Sequence, residues 1–154
     1  MVIIESLKTE DIPALLKLYK QLAPPYIEFN TSLDHGRTAY EHMLREQNSM
    51  IAVAKENGEI VGSALGICCQ CLMGTFLVVE DVIVREDQRG KGVGHMLMDA
   101  LDTFAKEQEC AYAFLVSSNF RTQAHRFYEK IGYTDGVVGF RKLYTKHTDE
   151  STQK

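Results

Sequence analysis

Between Thr75 and Gln108 a β-branched run, Thr75 to Arg85, passes through Gln88-Arg89-Gly90-Lys91-Gly92-Val93-Gly94 into a stretch of helical periodicity. A strand that meets clustered glycines and turns at once into a helix leaves main-chain N–H groups without partners at the helix start. Such a unit demands a sheet, a helix packed on that sheet, and an end where backbone can approach an anion. Three neighbouring glycines could also make a plain surface turn, but their place between a strand and a helix favours a ligand cradle.

The spacing excludes two common phosphate loops. A dinucleotide fingerprint needs glycine three residues after Gly92, where His95 stands, and a Walker loop needs Gly-Lys-Ser/Thr, whereas Gly90-Lys91 is followed by Gly92. The helix after the loop carries Val93, Met96, Leu97, Ala100, Leu101, Phe104 and Ala105 at three- and four-residue intervals, so one face covers a sheet.

The remaining elements follow from similar patterns. A strand is expected over Val2 to Ser6, then a helix begun at Thr9 or Asp11 with Ile12, Leu15, Leu16 and Tyr19 inward and Pro13 in its first turn. Pro24-Pro25 ends it, and the aromatic loop through Tyr26, Glu28 and Phe29 is a candidate pocket wall or a loop packed by its own side chains. A second helix runs from Leu33 or Asp34 to about Glu46 with Met43 and Leu44 inward; Ser49–Lys55 and Glu59–Ile67 then flank Asn57-Gly58, a hairpin signal. Gly62 and Gly66 mark a bulge or close packing. Past the long helix come a strand over Cys110–Val116, a helix over Thr122–Lys130 closed by Gly132, and a last strand over Val137–Tyr144. The order predicts an α/β sandwich around a mixed, mainly antiparallel sheet with helices on both faces. The strands on either side of the long helix should be parallel neighbours.

The chain has 154 residues, which suits one domain over residues 1–145, with the polar remainder 146–154 disordered. Its net charge of −4 provides no broad cationic surface, which argues against nucleic acid and mildly favours cationic substrates. The N-terminus lacks a charged-then-apolar leader, and no apolar run reaches the roughly 18 residues of a membrane span, so a cytoplasmic protein is expected. Cys68, Cys69 and Cys71 do not have zinc-ligand spacing; no metal site is expected, and the thiols read as reduced and structural.

Arg89-Gly90-Lys91-Gly92-Val93-Gly94 resembles the acyl-CoA pyrophosphate loop, Gln/Arg-x-x-Gly-x-Gly/Ala, of the GNAT superfamily of N-acetyltransferases. Downstream, Ala124, Tyr128 and Gly132 match the family's Asn-x-x-Ala-x-x-x-Tyr-x-x-x-Gly-Phe, with Tyr133 replacing phenylalanine and Arg121 replacing the asparagine. The form Arg-x-x-Ala-His-x-Phe-Tyr-Glu is also loosely similar to the aminoalkylphosphonate acetyltransferase branch.

The resemblance implies acetyl-CoA as acyl donor and a primary amine of a small molecule as acceptor, attacking the thioester directly. By the same resemblance, backbone of Val82, Ile83 and Val84 holds the pantetheine arm. Arg89, Gly90, Lys91, Gly92, Val93, Gly94 and His95 hold the pyrophosphate, with Asn119 and Arg121 supplying further cofactor contacts. Tyr128 corresponds to the tyrosine that protonates the leaving thiolate. Glu80 is preferred as base, with His125 or water-mediated proton loss as alternatives. Asp81, Tyr26 and Glu28 are candidate substrate contacts. Because adjacent strand residues face opposite ways, at most one of Glu80 and Asp81 should enter the cleft directly. Protein or peptide acetylation and a non-catalytic acyl-CoA sensor are competing readings, and a homodimer is suggested by similar proteins.

Overall fold

Residues 1–24 and 27–144 are described by a computed structural model. The expected Tyr26 contact and the expected disordered tail over 146–154 lie outside the described residues. Five strands, β1 (Val2–Ser6), β2 (Ser49–Glu56), β3 (Glu59–Cys71), β4 (Gly74–Val84) and β5 (Ala113–Phe114), form one sheet in that order. The first three junctions are antiparallel and the last is parallel. Among the described residues there are four α-helices, α1 (Ile12–Tyr19), α2 (Leu33–Glu46), α3 (Val93–Glu107) and α4 (Thr122–Lys130), and short 3-10 turns at Thr9–Asp11 and Glu86–Gln88.

Strand alternation sorts the apolar residues between two cores. On β2, Ala52 and Ala54 face the core under α3, while Ile51 and Val53 face the core under α1. The first core also contains Val61, Ala64 and Leu77 from the sheet and Val93, Leu97, Met98 and Leu101 from α3, with Phe127, Tyr128 and Ile131 of α4 packed beside it. Leu77, Leu97 and Leu101 are fully buried. Burying one such side chain stabilises by about 1.5–3 kcal/mol, whereas an exposed ion pair such as Arg85 with Asp87 contributes about 0–1 kcal/mol. Apolar packing of α3 therefore holds the sheet.

Turn chemistry places the elements. Asn57 and Gly58 both have positive φ, 51° and 81°, as the expected β2–β3 hairpin requires. Ser32 caps α2 by accepting from the His35 N–H at 3.2 Å. Met43 faces inward from α2, but Leu44 is exposed. α2 buries no residue completely and rests on α1 through Gly36, where an added Cβ would lie 3.0 Å from Leu16 Cδ1.

Gly62 marks a second close approach. A Cβ there would lie 3.0 Å from the Ile83 carbonyl oxygen and 3.1 Å from Leu97 Cδ1. The carbonyl belongs to the adjacent strand and cannot yield without moving β4. Gly62→Val is expected to cost about 2 kcal/mol, a fall in Tm of roughly 6 °C by circular dichroism. An unchanged Tm would contradict this packing.

Two expectations about the C-terminal half are corrected. The strand expected over Cys110–Val116 shrinks to Ala113–Phe114, and the one expected over Val137–Tyr144 does not form. A strand is stable only in a ladder, and β5 pairs with β4 at two positions, Leu77↔Ala113 and Val78↔Phe114, leaving little edge for another partner. Val137, Val138, Phe140 and Tyr144 are accordingly exposed rather than packed on a sheet face. Cys68 Sγ of β3 lies 3.5 Å from Sγ of Cys110, which precedes β5.

Candidate active site

Where the β4–β5 ladder stops after Val78, the chain beyond β5 diverges and a cleft of about 890 Å³ opens. One wall is β4, through Val79, Glu80, Asp81 and Val82; the opposite wall is Ser117, Ser118, Asn119, Arg121 and then Ala124 and Tyr128 of α4. On the cleft side this part of β4 has no strand partner among the described residues, so its outer main-chain edge is available to an extended ligand.

The cleft wall departs from simple alternation. Ser63 pairs with Ile83 and Leu65 with Glu80, so Ala64 faces two residues, Asp81 and Val82, and the ladder carries a bulge. Asp81 takes the left-handed conformation, φ 51°. This turns it out of the pleat, and both Glu80 and Asp81 line the cleft together with Val82. The expectation that only one of the two carboxylates could enter is corrected: alternation fails where a bulge inserts a residue. Both residues stay in part open to solvent, and partial burial of their carboxyls pushes the pKa values up, Glu80 further through the charge of Asp81.

Opposite them, Tyr128 projects from α4. Phe127 and Tyr133 hold its ring, with centroids at 5.3 Å and 6.1 Å. Burial pushes its pKa above the ordinary phenol value; the Arg121 cation opposes this and the Glu80 carboxylate adds to it. The phenol thus keeps its proton throughout the neutral range. His125 ties α4 to the preceding segment, its Nε2 lying 3.0 Å from the Ser118 carbonyl oxygen. It serves the wall rather than the cleft, whose lining does not include it.

The glycine loop stands at the end of β4. Gly90 and Gly92 have φ of 74° and 84°, and Gly92 is the N-cap of α3. A Cβ at either would meet nothing within 4 Å, so the loop presents bare backbone to open space. The first hydrogen bond of α3 runs from the Met96 N–H to the Gly92 carbonyl at 3.1 Å; the preceding amides have no helical acceptor. A diphosphate fits this donor set by charge and by space.

Not every residue of the loop points the same way. Gly94 is a packing glycine, since a Cβ there would stand 3.2 Å from the Phe127 ring. Arg89 donates from Nε to the Val84 carbonyl at 3.1 Å and so ties the loop to β4. Lys91 and His95 are exposed, and His95 Nε2 lies 3.6 Å from Asp99 Oδ1. Gln88 is buried and donates to Glu56 at 2.8 Å, an anchor for the turn. Ile83 is buried toward Gly62, and Val84 is half-buried.

Among the remaining expected contacts, Glu28 is exposed and does not line the cleft, but it stands on an adjoining groove that shares Phe29, Asn30 and Thr31 with it. Phe29 and Ile27 line the cleft in its place. Sequence reasoning missed Tyr19, whose hydroxyl lies 3.5 Å from Ser63 Oγ and faces the charge of Asp81. Burial drives its pKa far above the ordinary phenol value. Its helical spacing with Ile12 and Leu15 made it look like plain core.

The sequence model of the Acetyltransferase (GNAT) family matches residues 14–133. YhfO of Bacillus subtilis (strain 168), an uncharacterised N-acetyltransferase, is 25% identical over 134 residues, covering 86% of this chain and 89% of its own. Glucosamine-6-phosphate N-acetyltransferase from Arabidopsis thaliana superposes with a TM-score of 0.83 at 21% identity, over 94% of this chain and 99% of that one. A candidate acetyltransferase of Clostridium acetobutylicum crystallised with acetyl-CoA has a TM-score of 0.75 at 22% identity, over 93% and 96%. Among the described residues, no helix is long and apolar enough to cross a membrane.

Proposed function

Because this chain belongs to the acetyltransferase (GNAT) family and is an acyltransferase, we propose that it moves an acetyl group from acetyl-CoA to the primary amine of a small molecule. The observation that carries the reading is the convergence, in one cleft, of an unladdered strand edge, two carboxylates and a protonated phenol beside an open helix N-terminus.

The residues divide the work as follows. Backbone of Val82, Ile83 and Val84 binds the pantetheine arm, and the amides from Gly90 to His95 bind the diphosphate, where the dipole of α3 favours negative charge. Arg121 and Asn119 close the other side. When bound, acetyl-CoA supplies the acyl group: the amine nitrogen bonds to the carbonyl carbon, the carbon–sulfur bond breaks, and amide and free thiol result. Asp81 holds the incoming ammonium group. Glu80 takes a proton from it, directly or through water, so that the nitrogen attacks neutral. Tyr128 holds a proton at Oη for the departing sulfur.

The pH profile tests the base. Glu80 acts as carboxylate, so kcat/KM should rise with pH through its raised pKa and level off above it. Glu80→Gln is expected to lower kcat/KM about 100-fold and abolish that acidic limb. Asp81→Asn removes a like charge and should move the limb to lower pH. Thiol release from acetyl-CoA with a panel of amines is the assay. A protein that binds no acetyl-CoA in calorimetry, or binds it and releases no thiol with any amine, would overturn the reading.

A further inference from the structure

The half of the cleft beyond the carboxylates is built as an open hydrophobic core. Leu16 of α1, Ile27 and Phe29 of the following loop, Ala39 and Met43 of α2, and Ile51 of β2 all line it. The cluster under α1, with Leu7, Ile12 and Leu15 buried, continues into this wall rather than closing behind it. Polar side chains on the same side are Asn30, Thr31, His35 and Tyr40, the last donating its hydroxyl to the Leu7 carbonyl. Tyr19 directs its hydroxyl to Ser63, which itself donates to the Ala52 carbonyl at 3.0 Å. The lining arginines are Arg121, at the start of α4, and Arg141. Lysine contributes nothing to the lining among the described residues.

Charge and polarity therefore point to one acceptor chemistry. Resting on the transferase reading above, we propose that the acceptor is a lipophilic primary monoamine, an alkyl or aralkyl amine. Its ammonium group meets Asp81 and Glu80, and its hydrocarbon body lies between α1 and α2. A phosphorylated amino sugar would set hydroxyls against leucine, isoleucine and phenylalanine, whatever its phosphate gained from Arg121 or Arg141. A polyamine would bury a second cation among the apolar side chains between α1 and α2, where the cleft lining offers no carboxylate among the described residues. Either loss outweighs what the cleft returns, because a desolvated polar group without a partner costs more than its contact yields.

The test uses the full chain with saturating acetyl-CoA and reads thiol release. The acceptors are n-propylamine through n-hexylamine, 2-phenylethylamine, glucosamine 6-phosphate, spermidine and a short peptide with a free N-terminus. From propylamine to hexylamine, kcat/KM should rise about fourfold per methylene, the equivalent of about 0.8 kcal/mol each. Phenylethylamine should fall with the longer chains, and the polar acceptors should be at least tenfold poorer than hexylamine. Met43→Lys, which sets a cation on the apolar wall of a helix that buries nothing completely, should shrink the advantage of hexylamine over propylamine while the KM for acetyl-CoA holds. A flat series, or faster turnover of the sugar phosphate, the polyamine or the peptide, overturns the proposal and leaves the transferase reading intact. Binding of acetyl-CoA without thiol release from any acceptor overturns both.

Discussion

Tyr128→Phe is expected to lower kcat by about 1,000-fold, within the range that a positioned general acid contributes, with little change in the KM for acetyl-CoA. Phenylalanine keeps the ring that packs on Phe127 and Tyr133, so the substitution removes a hydroxyl and leaves the wall. A tyrosine that merely filled space would tolerate it almost silently. The raised pKa gives the second part of the expectation. Burial and the Glu80 charge keep the proton on Oη, partly offset by Arg121, so the wild-type rate should not decline until well into the alkaline range. The decline comes when the phenol ionises and can no longer donate. In the variant that alkaline limb should vanish along with most of the rate. Wild-type turnover with an unchanged profile would remove Tyr128 from the chemistry and leave it a packing residue.

How much of this could be read from the chain depends on which signals are local. The glycine loop, the long amphipathic helix and the β2–β3 hairpin are legible because backbone freedom and periodicity are written within a few residues: Gly90, Gly92 and Asn57-Gly58 sit where positive φ is needed. Tyr128 is legible only through the resemblance of Ala124, Tyr128 and Gly132 to the family's motif. The bulge that brings Asp81 beside Glu80 has no such signature. Its one faint mark is that aspartate tolerates the left-handed conformation better than the valines around it. Ladder length is likewise a tertiary property. Cys110 to Val116 and Val137 to Tyr144 have β-rich composition, yet among the described residues the strand is confined to Ala113 and Phe114, with Ala111 and Tyr112 adding main-chain bonds to β4. The apolar acceptor wall was hidden for the same reason, since Ile12, Leu16 and Tyr19 show the same spacing whether the core above them is closed or open.

The glycine loop allows an equally large effect to be separated from folding. Gly92→Asp should raise the Kd for acetyl-CoA by about 1,000-fold, because juxtaposed like charges in a binding site cost several kcal/mol. The residue is the N-cap of α3 with φ 84°, and a Cβ there meets nothing within 4 Å, so an aspartate enters without steric conflict. Aspartate and asparagine are the side chains that least resist this conformation, and the backbone strain, about 1 kcal/mol, is common to both variants. A carboxylate at the N-terminus of a helix also favours the dipole, by about 0.3–1 kcal/mol, which offsets part of that strain, so the melting temperature should fall by no more than a few degrees. The same negative charge occupies the potential that a diphosphate would otherwise meet. Gly92→Asn supplies the control: equal in shape and without charge, it should weaken binding by no more than about tenfold, the cost of crowding bare backbone with a side chain. Calorimetry on the three proteins reads the difference directly. If Asp and Asn variants bind acetyl-CoA alike, the field at the head of α3 does not hold the diphosphate. If both bind as tightly as the parent, the ligand does not touch this loop at all.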